Sequence, residues 1–270
     1  ILLFLVLFSL FGPMLTPYSI YQKDPLYVNY PAYVPSIAEK GWGILDGAKV
    51  HDSQNDVSMN YWKGIAEETG YNPVLGVVGE HSTYVKYRGQ MVERMTYDLE
   101  VNRYYEIGVV YRVFSYAEFE KIQAWQNETG IQVIYPYVEP KDISDISDNP
   151  NIWYQVDAKG AAVLDDNGEL VPVYSSNKEI EGAPYNSLRV EGDDGSYIYS
   201  VAKSGAVQAR VCYYNYYQYV NGHEPSFIFG TNTMGQDLFT AVAVGARFSL
   251  LFAILVSVIN LTIGAFYGAI

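Results

Sequence analysis

Cysteine is almost missing from this sequence. Cys212 is the single one among 270 residues, which excludes an internal disulfide and predicts a buried structural thiol. Histidine is nearly as scarce: His51, His81 and His223 are scattered and lack the i, i+4 spacing of two helical zinc ligands. The carboxylate-rich stretches 142–148 and 165–167 lack the spacing and distal glutamate of an EF-hand, so they read as solvated loops and no metal is assigned. There is no Gly-x-Ser-x-Gly elbow, no glycine-rich loop followed by Lys and Ser/Thr, and no cysteine beside a recognisable base. Paired carboxylates are too abundant for one pair to mark a glycosidase centre. The sequence therefore predicts no catalytic residue, no enzyme activity and no cofactor. Bases are few as well, 17 against 30 acids for a net charge of −13. That balance argues against nucleic acid, whose phosphates attract Lys and Arg.

Charge is absent altogether from both ends. Residues 248–270 hold no charged side chain, and as a helix they would reach about 34 Å, enough to cross a hydrocarbon core of about 30 Å. Residues 1–15 are equally uncharged but would extend only about 22 Å. They read as a truncated span rather than a signal peptide, because no basic region precedes them and Leu15-Thr16-Pro17 is a poor cleavage site. Every charged residue lies between Lys23 and Arg247. The expected division is a first transmembrane helix over 1–17, a solvated domain over 18–228, a turn and short elbow helix over 229–247, and a second transmembrane helix over 248–270. One domain joining two spans requires both to open on the same side. The expected fold class is a multi-pass cell-membrane protein in which α-helical transmembrane segments flank a mainly β, α+β extracytoplasmic domain.

What the sequence does have is tyrosine, 27 residues, with runs such as Tyr213-Tyr214-Asn215-Tyr216-Tyr217-Gln218-Tyr219. The ring with its polar tip suits half-buried strands, so 207–220 is predicted as a strand. Prolines and tyrosines without helical periodicity make 18–40 an extended lead over a surface, followed by a glycine-rich turn over 41–47 around apolar anchors. Alternation of apolar and polar residues predicts strands within 84–114, as in Tyr97, Leu99 and Val101 against Asp98, Glu100 and Asn102. Ser115 and Glu118 have capping-box spacing, Phe119, Ile122 and Trp125 share one helical face, and Gly130 supplies the stop. A strand should resume over 131–135. Asp165-Asp166-Asn167-Gly168 and Asp193-Asp194-Gly195 are placed as tight hairpins.

Ahead of the last apolar stretch stands Phe229-Gly230-Thr231-Asn232-Thr233-Met234-Gly235-Gln236-Asp237, followed downstream by Gly245-Ala246-Arg247-Phe248-Ser249-Leu250. Glycines at 230 and 235 permit a tight turn, Asp237 is placed to cap the next helix, and Arg247 can snorkel to lipid headgroups. Gly264 and Gly268 form a Gly-x-x-x-Gly pair that allows close helix packing. The pattern resembles the Phe-Gly-Thr-Asp-x-x-Gly-Arg-Asp motif, with a downstream Gly-Ala-Arg-x-Ser-Leu, of the second permease subunit of oligopeptide and dipeptide ABC importers. Residues 35–47 are also similar to the segment after the first span in such proteins, and the large domain resembles an enlarged external loop. The resemblance implies a permease that hydrolyses nothing itself. Its partners would be a second permease subunit, two ATP-binding subunits that hold the ATP, an extracellular peptide-binding protein and membrane lipid. The loop that grips the ATP-binding subunits would lie beyond residue 270. The family's Asp and Arg are Asn232 and Gln236 here, which replaces a charged pair with two amides able to hydrogen-bond each other. The rival expectation is a two-span sensor or receptor with an extracellular ligand-binding domain.

Overall fold

Alternation of apolar and polar side chains builds the first sheet of the central region. The computed structural model describes residues 2–139, 149–157, 161–171, 174–175, 188–190 and 196–269. Strands β1 (Ala48–Gln54), β2 (Val74–Tyr87) and β3 (Gln90–Asn102) form an antiparallel sheet in the order β1-β3-β2. The β2–β3 hairpin closes through Arg88 and Gly89, both at positive φ, the geometry of a two-residue hairpin turn. On one face Leu99 and Val101 are buried against Trp62 and Ile65 of helix α3 (Asp56–Thr69), which follows the short α2 (Pro35–Ala38) in the chain.

A second sheet has the order β4-β10-β5, formed by β4 (Val109–Phe114), β10 (Ala206–Cys212) and β5 (Ile134–Tyr135), with β9 (Ser200–Lys203) also paired to β10. Helix α4 (Tyr116–Thr129) buries Phe119 and Ile122 against Phe114, Val207, Ala209 and Val211 of this sheet. Its caps are those the sequence predicts: Ser115 accepts from the Glu118 amide at 3.1 Å and Gly130 takes φ +74°. The glutamate does not reach back, however. Its carboxylate accepts from the Tyr219 hydroxyl at 2.7 Å, a tertiary contact that outcompetes the local one. Two-residue strands β6 (Val138–Glu139) and β7 (Tyr174–Ser175) flank β8 (Leu188–Val190) in a third sheet. The hairpin at 165–168 is present, with Asp165 accepting from the amides of Asn167 and Glu169. The hairpin expected at 193–195 and the solvated loop expected at 142–148 lie outside the described residues.

The predicted strand over 207–220 ends at Cys212, and the tyrosine run is helix α5 (Tyr213–Asn221), stopped by Gly222 at φ +74°. Tyr213, Tyr214 and Tyr217 are buried at helical spacing, so tertiary packing of this face overrides strand propensity. The strand over 131–135 shrinks to two residues.

The chain separates into two compact units, residues 48–225 and the two ends, 1–47 with 226–270. Residues 18–47 therefore group with the ends and not with the domain over 18–228. In the terminal unit, helix α1 (Leu2–Phe11) continues as a 3₁₀ turn to Met14 and packs on α6 (Leu238–Gly268). Gly12 lies where an added Cβ would press on the Ala243 methyl, and the Phe8 and Phe239 rings meet edge-on at 5.6 Å. Helix α6 has 31 residues and is long and apolar enough to cross a membrane by length and composition. The elbow helix expected over 229–247 is not separate from it. Neither proline nor a run of poor helix formers interrupts 238–250, and the lone Gly245 does not suffice to break the helix.

Candidate functional site: the turn ahead of the long helix

The motif residues fold on themselves before they meet anything else. Thr231 and Asp237 face each other as an antiparallel bridge, and the Asn232 amide donates to the Gln236 carbonyl at 3.0 Å. Asn232 Oδ1 accepts from the backbone amides of Met234 at 2.8 Å and Gln236 at 3.0 Å. Its Nδ2 donates to Gln236 Oε1 at 2.9 Å, and Gln236 Nε2 donates to the Ile20 carbonyl at 2.6 Å. The two amides thus use one another's complementary atoms, where a carboxylate and a guanidinium would form an ion pair.

The lead, predicted as a surface segment, is instead the other half of this site. The Asp24 amide donates to the Gly235 carbonyl, Asn29 to the Asn232 carbonyl, and Thr231 to the Tyr30 carbonyl, each at 3.0 Å. Thr231 Oγ1 accepts from the Tyr30 amide at 2.9 Å and donates to the Tyr27 carbonyl at 2.5 Å. Gly230 and Gly235 sit at φ +76° and +70°. A Cβ at Gly230 would collide with the Tyr30 carbonyl oxygen and one at Gly235 with that of Asp24, so backbone lies directly on backbone. Tyr27, Tyr30 and Tyr33 are buried beside the turn, and Tyr18 stacks on Phe227 at 4.7 Å. Of the expected apolar anchors of 41–47, Trp42 and Ile44 are exposed, with Lys40 Nζ 4.7 Å from the Trp42 ring centre, and Leu45 is half-buried.

Asp237 caps α6. Its Oδ2 accepts from the Thr240 amide at 2.8 Å and from the Thr240 hydroxyl at 2.5 Å, with the Thr16 hydroxyl at 3.4 Å. The residue is 4% exposed, its Oδ1 has no hydrogen-bond partner among the described residues, and it lines a cavity of about 70 Å³ with Thr16, Pro17, Ser226 and Ile228. A carboxylate at the positive end of a helix is favourably placed.

The remaining predicted residues stand apart from this turn or at its rim. Phe229 is half exposed, its ring 5.5 Å from that of Phe239. Gly245, Gly264 and Gly268 face open space on α6, and Arg247 is exposed on the same helix, nine residues along it from Leu238. Thr16, Asp24, Tyr27, Tyr30 and Thr240 complete the site and were not predicted. Threonines three residues after a capping Asp and directly before Pro17 were the only local signal.

The central unit has its own polar centre, also unpredicted. Arg210 is fully buried and meets Glu68, itself nearly so, through Nη2 to Oε2 at 2.6 Å and Nη1 to Oε1 at 3.0 Å, while Nε donates to the Pro150 carbonyl at 2.8 Å. A further bond from Nη1 goes to the Pro136 carbonyl. Cys212 is buried nearby, and burial pushes its thiol up to about 12, which fits a structural rather than a reactive sulfur. No group of three or more His, Cys, Asp or Glu among the described residues could hold a metal ion. Comparison of the chain with protein-family models, curated proteins and solved structures gives no match.

Proposed function

We propose that this chain is part of the permease subunit of a peptide-type ABC importer and forms part of a translocation pathway for oligopeptides or dipeptides. The observation that carries this reading is the turn over 229–237. Its sequence resembles the importer motif, its two glycines stand where no side chain fits, and it runs directly into the 31-residue apolar helix. At about 1.5 Å per residue that helix reaches roughly 46 Å, longer than a hydrocarbon core of about 30 Å, so it can span and emerge. The stitching of 18–34 to the turn gives the motif a mechanical role: it ties the exit of the first apolar helix to the start of the second. In a transporter, where rigid bodies rock about a substrate path, such a tie keeps the two ends moving together. The central unit is then extracytoplasmic, ATP is bound by two partner subunits, and a second permease and a peptide-binding protein complete the machine.

The test is to isolate the full-length protein from its own membrane in mild detergent and identify what accompanies it. Two ATP-binding subunits and a second permease, with ATP hydrolysis stimulated by a peptide-loaded binding protein, are expected. Association with a kinase or other signalling chain instead would favour the receptor, and failure of any ATP-binding subunit to co-purify overturns the importer.

A further inference from the structure

The start of α6 holds a carboxylate that is satisfied on one side only. Asp237 is 4% exposed, and the hydrogen bonds it accepts through its side chain all fall on Oδ2. Oδ1 has no partner among the described residues. A capping aspartate on an open surface turns its second oxygen to water, but here residues 15–17 and 226–228 border it. Burying an ionised carboxylate is costly unless its charge is met. The donors on Oδ2 are one amide and two hydroxyls, all neutral, and a helix start offers only about half a positive charge. Part of the negative charge is therefore left for something else to balance.

The cavity that Asp237 lines narrows what that can be. No Lys, Arg or His is among its lining residues, so no side chain there supplies the charge. The backbone donors of the lining are also spent or missing where they would count. The Ser226 amide donates to the Tyr18 hydroxyl at 2.9 Å, and Pro17 has no N–H. Thr16 Oγ1 accepts from the Tyr18 amide at 3.2 Å. The polar groups left to the cavity are mainly oxygens, without sulfur or imidazole, the donor set of a hard cation. One carboxylate among them suits a single positive charge, since calcium sites gather several. At about 70 Å³ the cavity exceeds the roughly 10–15 Å³ that one water needs, so a small ion fits together with a water. Water alone would complete the hydrogen bonding and leave the charge unmatched.

We propose that Asp237 Oδ1 binds a monovalent cation of about the size of sodium in this cavity, with oxygens of Thr16 and Ser226 as further ligands and water completing the shell. The ion joins three stretches of the terminal unit, 15–17, 226–228 and the first turn of α6, so the ambient cation strengthens the junction at which the two apolar helices meet the turn. The proposal rests on the cap and its cavity, and holds whether or not the chain belongs to an importer.

The test uses the full chain in lipid nanodiscs at constant ionic strength, with sodium chloride replaced stepwise by choline chloride, whose cation is too bulky for the cavity. Hydrogen exchange at the amides of Thr240 and Ala241, which bond to the Asp237 side chain and carbonyl, reports opening of the first turn. Protection should rise with sodium and saturate, and should be about tenfold higher than in choline when sodium stands at ten times its half-saturating concentration. Asp237→Asn keeps a good capping side chain without the charge and should abolish the sodium dependence. Ser226→Ala should move half-saturation several-fold higher, and it alone decides the matter if the asparagine variant does not fold. Protection indifferent to the exchange of sodium for choline overturns the proposal and leaves Oδ1 to a water molecule. A sodium response kept in Asp237→Asn, or unshifted in Ser226→Ala, overturns it as well, as does full replacement of sodium by calcium.

Discussion

At the residue scale the terminal unit turns on two glycines and two amides. Alanine at Gly235 must accept a positive φ and drive a methyl into the Asp24 carbonyl oxygen. A left-handed non-glycine residue costs about 1–3 kcal/mol before any clash, so Gly235→Ala should lose more than about 3 kcal/mol. Gly43 has a similar φ with nothing near its would-be Cβ, so Gly43→Ala should lose only about 1 kcal/mol in the same denaturation experiment. The amide pair makes a sharper prediction. Gln236→Arg removes the acceptor of Asn232 Nδ2 and places donors against donors, so it should destabilise by about 1 kcal/mol. Adding Asn232→Asp should recover the loss, because carboxylate and guanidinium then pair. A double-mutant cycle with no coupling would show that the two side chains act independently.

At the element scale the base of the long hairpin carries a titrating clasp. His81 Nε2 lies 2.7 Å from Asp98 Oδ2, whose other oxygen accepts from the Ser53 amide at 2.8 Å. The bond to Asp98 holds the His81 imidazole above its ordinary 6.5, and the bonds from His81 and Ser53 hold the Asp98 carboxyl below its ordinary 3.8. The histidine's contribution is complete below 6.5 and is lost as pH rises through its raised value. The aspartate's is complete above 3.8 and is lost as pH falls through its lowered value. The protection of the amides of residues 79–83, measured against their intrinsic exchange rates at each pH, should therefore be greatest between about pH 4 and 6.5, and His81→Gln should flatten the profile. Elements with local signals were legible: the Ser115 cap, the Gly130 stop and the alternation over 97–102 depend on neighbours in sequence. Helix α5 was not, because its buried face depends on distant partners: Tyr71 and Tyr105 receive the Tyr214 ring, and Arg112 lies over that of Tyr213.

At the scale of the whole molecule, the motif over 229–237 was legible as a turn, yet half the site was hidden. Its partners lie some 200 residues earlier, in a lead whose prolines and tyrosines carry no periodicity. The same holds for Arg210 and Glu68, which join β10 to α3 across 142 positions. A buried ion pair with one member removed leaves an uncompensated charge, so Arg210→Met should lose about 3–5 kcal/mol, whereas Arg210→Met with Glu68→Leu should regain most of it. Cys212 supplies the readout in a setting the fold suggests. Three core clusters, around Ile122, around Trp153 and around Ile65, all lie within residues 48–225. That segment should fold without detergent when expressed alone, and its buried thiol should resist a disulfide reagent until the chain unfolds. In the Arg210→Met variant the thiol should react at far lower denaturant, and in the double variant near the original value. Prompt reaction of the excised segment in native buffer would mean that its cores need the terminal unit to form.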